Sequence, residues 1–390
     1  MKFYKIRLFQ ISLIVYRKRI GRTMRYYGRS NDDHTAPALT GVLLTNVGTP
    51  TAPTAQAVRP YLRQFLGDPR VIEYPRWLWW LILNGIILNT RPRRSARLYS
   101  NIWTAEGSPL LVNLQRQATA LRTELEKRTG VAVPVAMGVR YGAPSIREAM
   151  RQLDQANVRR LLVFPLYPQY SATTTATSLD GVFAELQGWR WLPELRTITH
   201  YHDHPAYIAA LANSVEEHWQ KHGKADRLLL SFHGIPRSYF EQGDPYFCEC
   251  QKTARLLATH LGLTESECAL SFQSRFGRAE WLRPYTDETL EEWGRHGVRS
   301  VQVLAPGFSG DCLETIDELG REGRETFLAA GGQSFSYIPA LNDRPDHIAA
   351  LTEIVLKHLQ GWELATPATA QEHYRKLQAR SEVKVLTKVG

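Results

Sequence analysis

A chain of 390 residues with 43% hydrophobic and 22% charged residues has the composition of a folded globular protein, long enough for two core-forming units; a disordered or fibrous chain is excluded. Its formal net charge of +10 invites a nucleic-acid or membrane partner, but Lys2, Lys5, Arg7, Arg17, Lys18, Arg19, Arg22, Arg25 and Arg29 stand in a leader without one acidic residue. The body is therefore close to neutral, which removes the electrostatic case for nucleic acid.

Residues 1–37 read as a basic N-terminal extension without stable structure. Its apolar run Ile11–Tyr16 falls far short of the roughly 20 residues a membrane span requires. No small-residue cleavage site follows it, so a secretory signal is not expected, and Met24 offers an alternative start. Beyond it, short apolar runs alternate with amphipathic stretches. Strands are expected at 41–46, 133–138, 160–165, 195–199, 227–232, 269–272, 300–305 and 334–338, and helices at 114–129, 146–156, 205–222, 246–261 and 347–359. Such alternation predicts parallel sheets with right-handed crossovers. The strands fall into two sets of four, giving an α/β protein of two Rossmann-like domains, 38–200 and 201–360, with a C-terminal tail at 361–390. No residue-level repeat between the halves is evident.

The stretch Trp77–Leu88 is apolar and aromatic, too short to span a bilayer, and suits either a core helix or an exposed lip for a flat apolar ligand or a membrane surface. The four cysteines are too few and too irregularly spaced for a disulfide framework, which fits a reducing compartment. Cys248-x-Cys250 with Cys268 has part of a metal-site pattern but no fourth thiolate at a matching spacing, so ordinary thiols are expected.

In open α/β sheets ligands lie beyond the carboxyl ends of the strands. That draws attention to 46–50, 138–141, 165–175, 233–236, 273–277 and 306–314. His233 ends an apolar run in "LLLSFHGIPRSYFEQGDPY", where an imidazole suits a ligand, a base or a packed core residue. In "LAPGFSGDCLETIDELGREGRE", a helix starting near Gly310 or Asp311 places Glu314, Glu318 and Glu322 at i, i+4 and i+8 on one face. A solvated acidic face beside Arg321 and Arg324 would show the same pattern. A carboxylate row ending near an imidazole suits a divalent cation such as iron(II). There is no Walker loop, no nucleotide fingerprint and no Gly-x-Ser-x-Gly elbow, so a nucleotide-binding enzyme or hydrolase is poorly supported.

Together "LSFHGIP…GDPY", "FQSRFGRAEWLRPYTDETL", "PGFSGDCLETIDE", "YPQYSATTTAT", "VGTP" and "IPALND" resemble ferrochelatase, in order and over residues 38–358, with details similar to the Gram-negative bacterial branch. The resemblance implies the chelatase-like fold and a lyase that inserts Fe(II) into protoporphyrin IX with release of two protons, the terminal step of haem synthesis. It places His233, Glu314 and Asp311 in catalysis, His233 and Glu314 facing each other across the macrocycle as metal-handling residues and Asp311 supporting the histidine or the glutamate. Glu318 and Glu322 become a conduit. Tyr99, Ser108, Arg140, Tyr141, Ser274, Trp281 and Phe308 would line the porphyrin cleft, with Arg91 or Arg140 pairing with the propionates. Cys312 stands where many relatives have histidine, and Val47 where some have Met or Tyr, so neither is expected to ligate metal. Ala172 replaces a cluster-ligating cysteine of some relatives; the resemblance implies no permanent cofactor and no iron–sulfur cluster of the animal type. A cytoplasmic location, with peripheral contact at the inner membrane, is expected. A chelatase for another tetrapyrrole or metal, such as coproporphyrin with iron or a cobalt chelatase, and a non-catalytic porphyrin- or haem-binding protein remain as alternatives.

Overall fold

Two four-stranded parallel sheets dominate the computed structural model, which describes residues 26–28, 38–277, 279–364 and 368. Most of the basic extension and most of the C-terminal tail lie outside the described residues; within the former, Tyr27 pairs with Trp189. The first sheet holds β1 (Leu39–Thr49), β2 (Val135–Gly142), β3 (Val158–Pro165) and β4 (Glu194–Thr197) in the order β2-β1-β3-β4. The second holds β5 (Arg227–His233), β6 (Cys268–Gln273), β7 (Ser300–Leu304) and β8 (Ser334–Ile338) in the order β6-β5-β7-β8. All eight expected strands are present, and the two orders are the same permutation.

The runs form these elements for ordinary reasons. β1 and β3 read "LTGVLLTNVGT" and "VRRLLVFP", nearly continuous apolar stretches that suit strands covered by helices on both faces. Helix starts are marked by proline in the first turn at Pro109, Pro205 and Pro345, where the missing N–H costs nothing, and by a capping box between Ser145 and Glu148. One apolar core runs through both halves, from Val42 and Leu44 of β1 through Leu211 and Val215 to Leu230 and Phe232 of β5, so the sheets are joined by burial as well as by chain.

Among the described residues, three π-helical segments adjoin the regular helices: Leu83–Ile87, Ala172–Ala176 and Glu314–Gly323. The last replaces the α-helix that the spacing of its glutamates predicts. A wider turn, with i→i+5 bonds, changes the direction of successive side chains, and such segments are common at functional sites.

Candidate active site

A cavity of about 670 Å³ lies beyond the carboxyl ends of the strands. Five of the six strand-end stretches singled out from the sequence reach it; residues 138–141, at the end of the edge strand β2, do not. Each π-helical segment contributes a lining residue: Ile87, Thr173 with Thr174, and Glu314.

His233 and Glu314 both line the cavity. His233 ends β5 in register with Gln273, whose side-chain amide donates to the Glu314 backbone carbonyl at 2.9 Å. Both therefore belong to the part of the cavity wall that the second sheet builds. β5 is hydrogen-bonded to both β6 and β7, which brings His233 and the segment after β7 together. His233 Nδ1 lies 2.6 Å from the carbonyl of Gly234. A carbonyl only accepts, so Nδ1 carries the proton and the neutral ring keeps its lone pair on Nε2. Gly234 is required here by packing: a Cβ would stand 2.9 Å from the Gln273 carbonyl oxygen and 3.1 Å from the Trp281 ring.

Behind Glu314, Ser274 Oγ donates to Glu318 Oε2 at 2.5 Å, with Ser274 held at a φ of 67°. Burial raises the Glu318 carboxyl above its usual range, and Glu314 adds to the rise while Ser274 and His233 oppose it. Glu318 thus feels both cavity-lining groups. Glu322 is exposed and takes a hydrogen bond from Arg321 at 2.9 Å. The carboxylates therefore run from cavity wall to surface, and the purely solvated face is corrected: only its outer end is solvated.

Asp311 is not among the lining residues. Its carboxylate accepts from Thr315 at 3.0 Å, Tyr337 at 2.8 Å, the Ala340 N–H at 3.2 Å and Asn342 at 2.8 Å. Four donors leave it no role at the reacting atoms. It anchors the turn that delivers Glu314.

Of the residues that the resemblance puts in the cleft, Tyr99, Ser108, Trp281 and Phe308 line the cavity and Ser274, Arg140 and Tyr141 do not. Arg140 donates to Asp68 at 2.7 Å and to Thr177 at 2.8 Å, while the Tyr141 hydroxyl donates to Asp68 at 3.0 Å. Burial of Asp68 opposes its charge, but hydrogen bonds from Thr177 and the Arg70 N–H, with the Arg140 charge, hold its carboxyl below the usual range. Arg140 is thereby committed to a brace behind the wall. Arg91 lines the cavity, its guanidinium 5.6 Å over the Phe276 ring, which in turn packs 4.9 Å from Trp281.

Residues that the sequence reading did not name as site residues include Tyr61, Phe65, Tyr167, Gln169 and Tyr246, all lining the cavity. Their signal was proximity to strand ends for Tyr167 and Gln169 only. The apolar lip divides by face: Trp79 and Leu83 are buried and Ile82 and Ile87 line the cavity, whereas Trp77, Trp80, Leu81 and Ile86 are 70%, 63%, 52% and 60% exposed. Cys248 is exposed and Cys250 buried, two residues apart on the helix Tyr246–His260, so they project in opposite directions and do not form a shared thiolate pair. Burial pushes the Cys250 thiol well up and the Cys268 thiol up to about 12, as expected of inert thiols.

The ferrochelatase family model matches residues 39–359. The chain is 55% identical to the ferrochelatase of Teredinibacter turnerae over 91% of its own length and 97% of that protein's, and 50% identical to that of Marinobacter nauticus over 92% and 98%. Among solved structures, SirB from Bacillus subtilis with Fe3+ is similar at 14% identity and a TM-score of 0.46, covering 66% of this chain and 96% of that one. The chain belongs to the ferrochelatase family, the lyases that insert iron(II) into protoporphyrin in haem biosynthesis.

Proposed function

We propose that His233 accepts a pyrrole proton during iron insertion and that Glu314, Glu318 and Glu322 form the path for protons or incoming metal between cavity and surface. The observation that carries this reading is the shared wall: His233 and Glu314 face one aromatic-lined cavity with Glu318 behind them. Free porphyrin holds two inner N–H groups, and their loss leaves a ring dianion that neutralises the entering Fe2+. The two protons need acceptors. Nε2 of His233, whose lone pair the Nδ1 hydrogen bond leaves in place, is one; the carboxylate row disposes of the other. A rigid aromatic wall also resists a planar ring, so binding energy spread over the macrocycle can bend it and expose the nitrogen lone pairs.

Arg91 at the rim pairs with a propionate in this reading. The exposed side of the lip, Trp77, Trp80, Leu81 and Ile86, rests on the inner-membrane surface of a cytoplasmic protein. No helix among the described residues is long and apolar enough to cross a membrane. An animal-type iron–sulfur cluster is not part of the reading, because Ala172 stands in the ligating position of some relatives.

Anaerobic incubation with iron(II) and either protoporphyrin IX or coproporphyrin tests the substrate, following loss of porphyrin fluorescence. Faster metallation of protoporphyrin is expected; preference for coproporphyrin overturns that choice. Porphyrin binding without metallation by the parent chain would sink the enzymatic reading altogether.

A further inference from the structure

We infer that the chain carries a second divalent-cation site, separate from the insertion cavity, formed by His200, His202 and Glu249 at the seam between its two halves. His200 and His202 follow β4, at the edge of the first sheet; Glu249 lies in the first turn of the helix Tyr246–His260 of the second half. One ligand atom from each lies within 4.8 Å of the others.

The donor geometry suits a metal better than an internal hydrogen bond. His202 is only 6% exposed, and its Nδ1 is sealed from solvent and makes no hydrogen bond, although Glu249 Oε2 is 3.2 Å away. A buried polar atom left in that state is costly unless something completes it. On the other side, His200 Nδ1 lies 3.6 Å from Glu249 Oε1. Two donors at metal bonds of about 2.0–2.1 Å in a tetrahedron stand about 3.3 Å apart, close to both separations, which use the two oxygens of the one carboxylate. Two imidazoles and one carboxylate favour Zn(II), Fe(II) or Co(II) over the hard cations.

The surroundings supply the support such a site needs. The Tyr170 N–H donates to Glu249 Oε2 at 2.7 Å and orients the carboxylate. Lys252, the nearby cation, is neutralised by Asp203 at 2.5 Å. His200 is half-exposed, which leaves an entry path and a fourth position for water. An ion here would join the end of β4 to the second half. It would also sit one hydrogen-bond chain from the cavity: the His202 carbonyl accepts from Thr253 at 2.9 Å, and Thr253 accepts from the cavity-lining Gln169 at 3.0 Å.

The test uses the full chain with His233→Ala and Glu314→Gln, so that cavity ligands do not compete. After stripping with chelator, it is titrated anaerobically with Co(II) and, in parallel, with Zn(II) against a chromophoric chelator. One equivalent of each metal is expected, with cobalt ligand-field absorption of a low-coordinate nitrogen–oxygen site. Adding His200→Ala, an exposed change that spares the fold, or Glu249→Gln should weaken binding by about tenfold or more, with circular dichroism confirming intact structure. Absence of stoichiometric binding by the cavity variant overturns the proposal, as does binding that neither added substitution changes.

Discussion

The two halves share a topology and divide the chemistry. In each, a glycine at the carboxyl end of the first strand must approach the carbonyl of the neighbouring edge strand: a Cβ on Gly48 would stand 1.8 Å from the Tyr141 oxygen, and one on Gly234 2.9 Å from that of Gln273. The residue before that glycine faces the cavity in both, and it is Val47 in the first half and His233 in the second. The same frame therefore presents an apolar contact on one side and an imidazole on the other. Acids divide likewise. Asp68 in the first half is held ionised by Thr177, the Arg70 N–H and Arg140, a structural use of charge; Glu318 in the second is held toward its neutral form by burial, the condition expected of a group that exchanges protons.

The sharpest way to break this division is His233→Ala. Loss of a positioned base should lower the insertion rate by about 10²–10⁴-fold while porphyrin fluorescence quenching still reports normal binding; near-normal turnover would show that the chemistry is not in the second half. Asp68→Ala tests the opposite assignment. Leaving Arg140 and Tyr141 without their shared acceptor should destabilise the fold by about 3 kcal/mol, read as a lower urea midpoint, and an effect confined to turnover would contradict the structural role.

Glu318→Gln should be milder in activity, raising the iron KM severalfold with a smaller change in kcat. It should also separate the acids by pH. A carboxyl whose folded pKa is raised contributes stability that is full below its ordinary value of 4.5 and lost as pH rises through the raised value, so Glu318→Gln should gain melting temperature relative to the parent as pH climbs from about 4 toward neutrality. Asp68, lowered, contributes stability present above the ordinary carboxylate range and lost as pH falls through its folded value. Parallel pH profiles for the parent and Glu318→Gln would remove the contrast. Smallest is Trp77→Ser with Trp80→Ser: stability should change by no more than about 0.5 kcal/mol, whereas co-sedimentation with anionic phospholipid vesicles should fall; unchanged co-sedimentation counts against the membrane reading.

Much of the fold was legible because buried parallel strands write themselves as apolar runs, and eight such runs with intervening amphipathic stretches leave few topologies. The site was less so. His233 could be placed at a strand end, and Glu314 near a second one, but Tyr61 and Phe65 lie on the helix Ala55–Gly67, whose approach to the cavity has no local signal. Arg140 and Tyr141 looked like cleft residues because their strand points the right way; Asp68, 72 residues before Arg140, captures them instead. The approach of His200 to Glu249 likewise joins two segments that pattern reading assigns to different halves.

By itself the sequence determined the two sets of strands, the near-neutral body, and the residue types available at strand ends, because periodicity and turn chemistry are local. Tertiary structure decided which side chains share a wall, which acid is neutralised by a guanidinium and which is buried beside another carboxylate. Those outcomes depend on distances between segments far apart in the chain, and burial and charge act through distance, with no trace in local order.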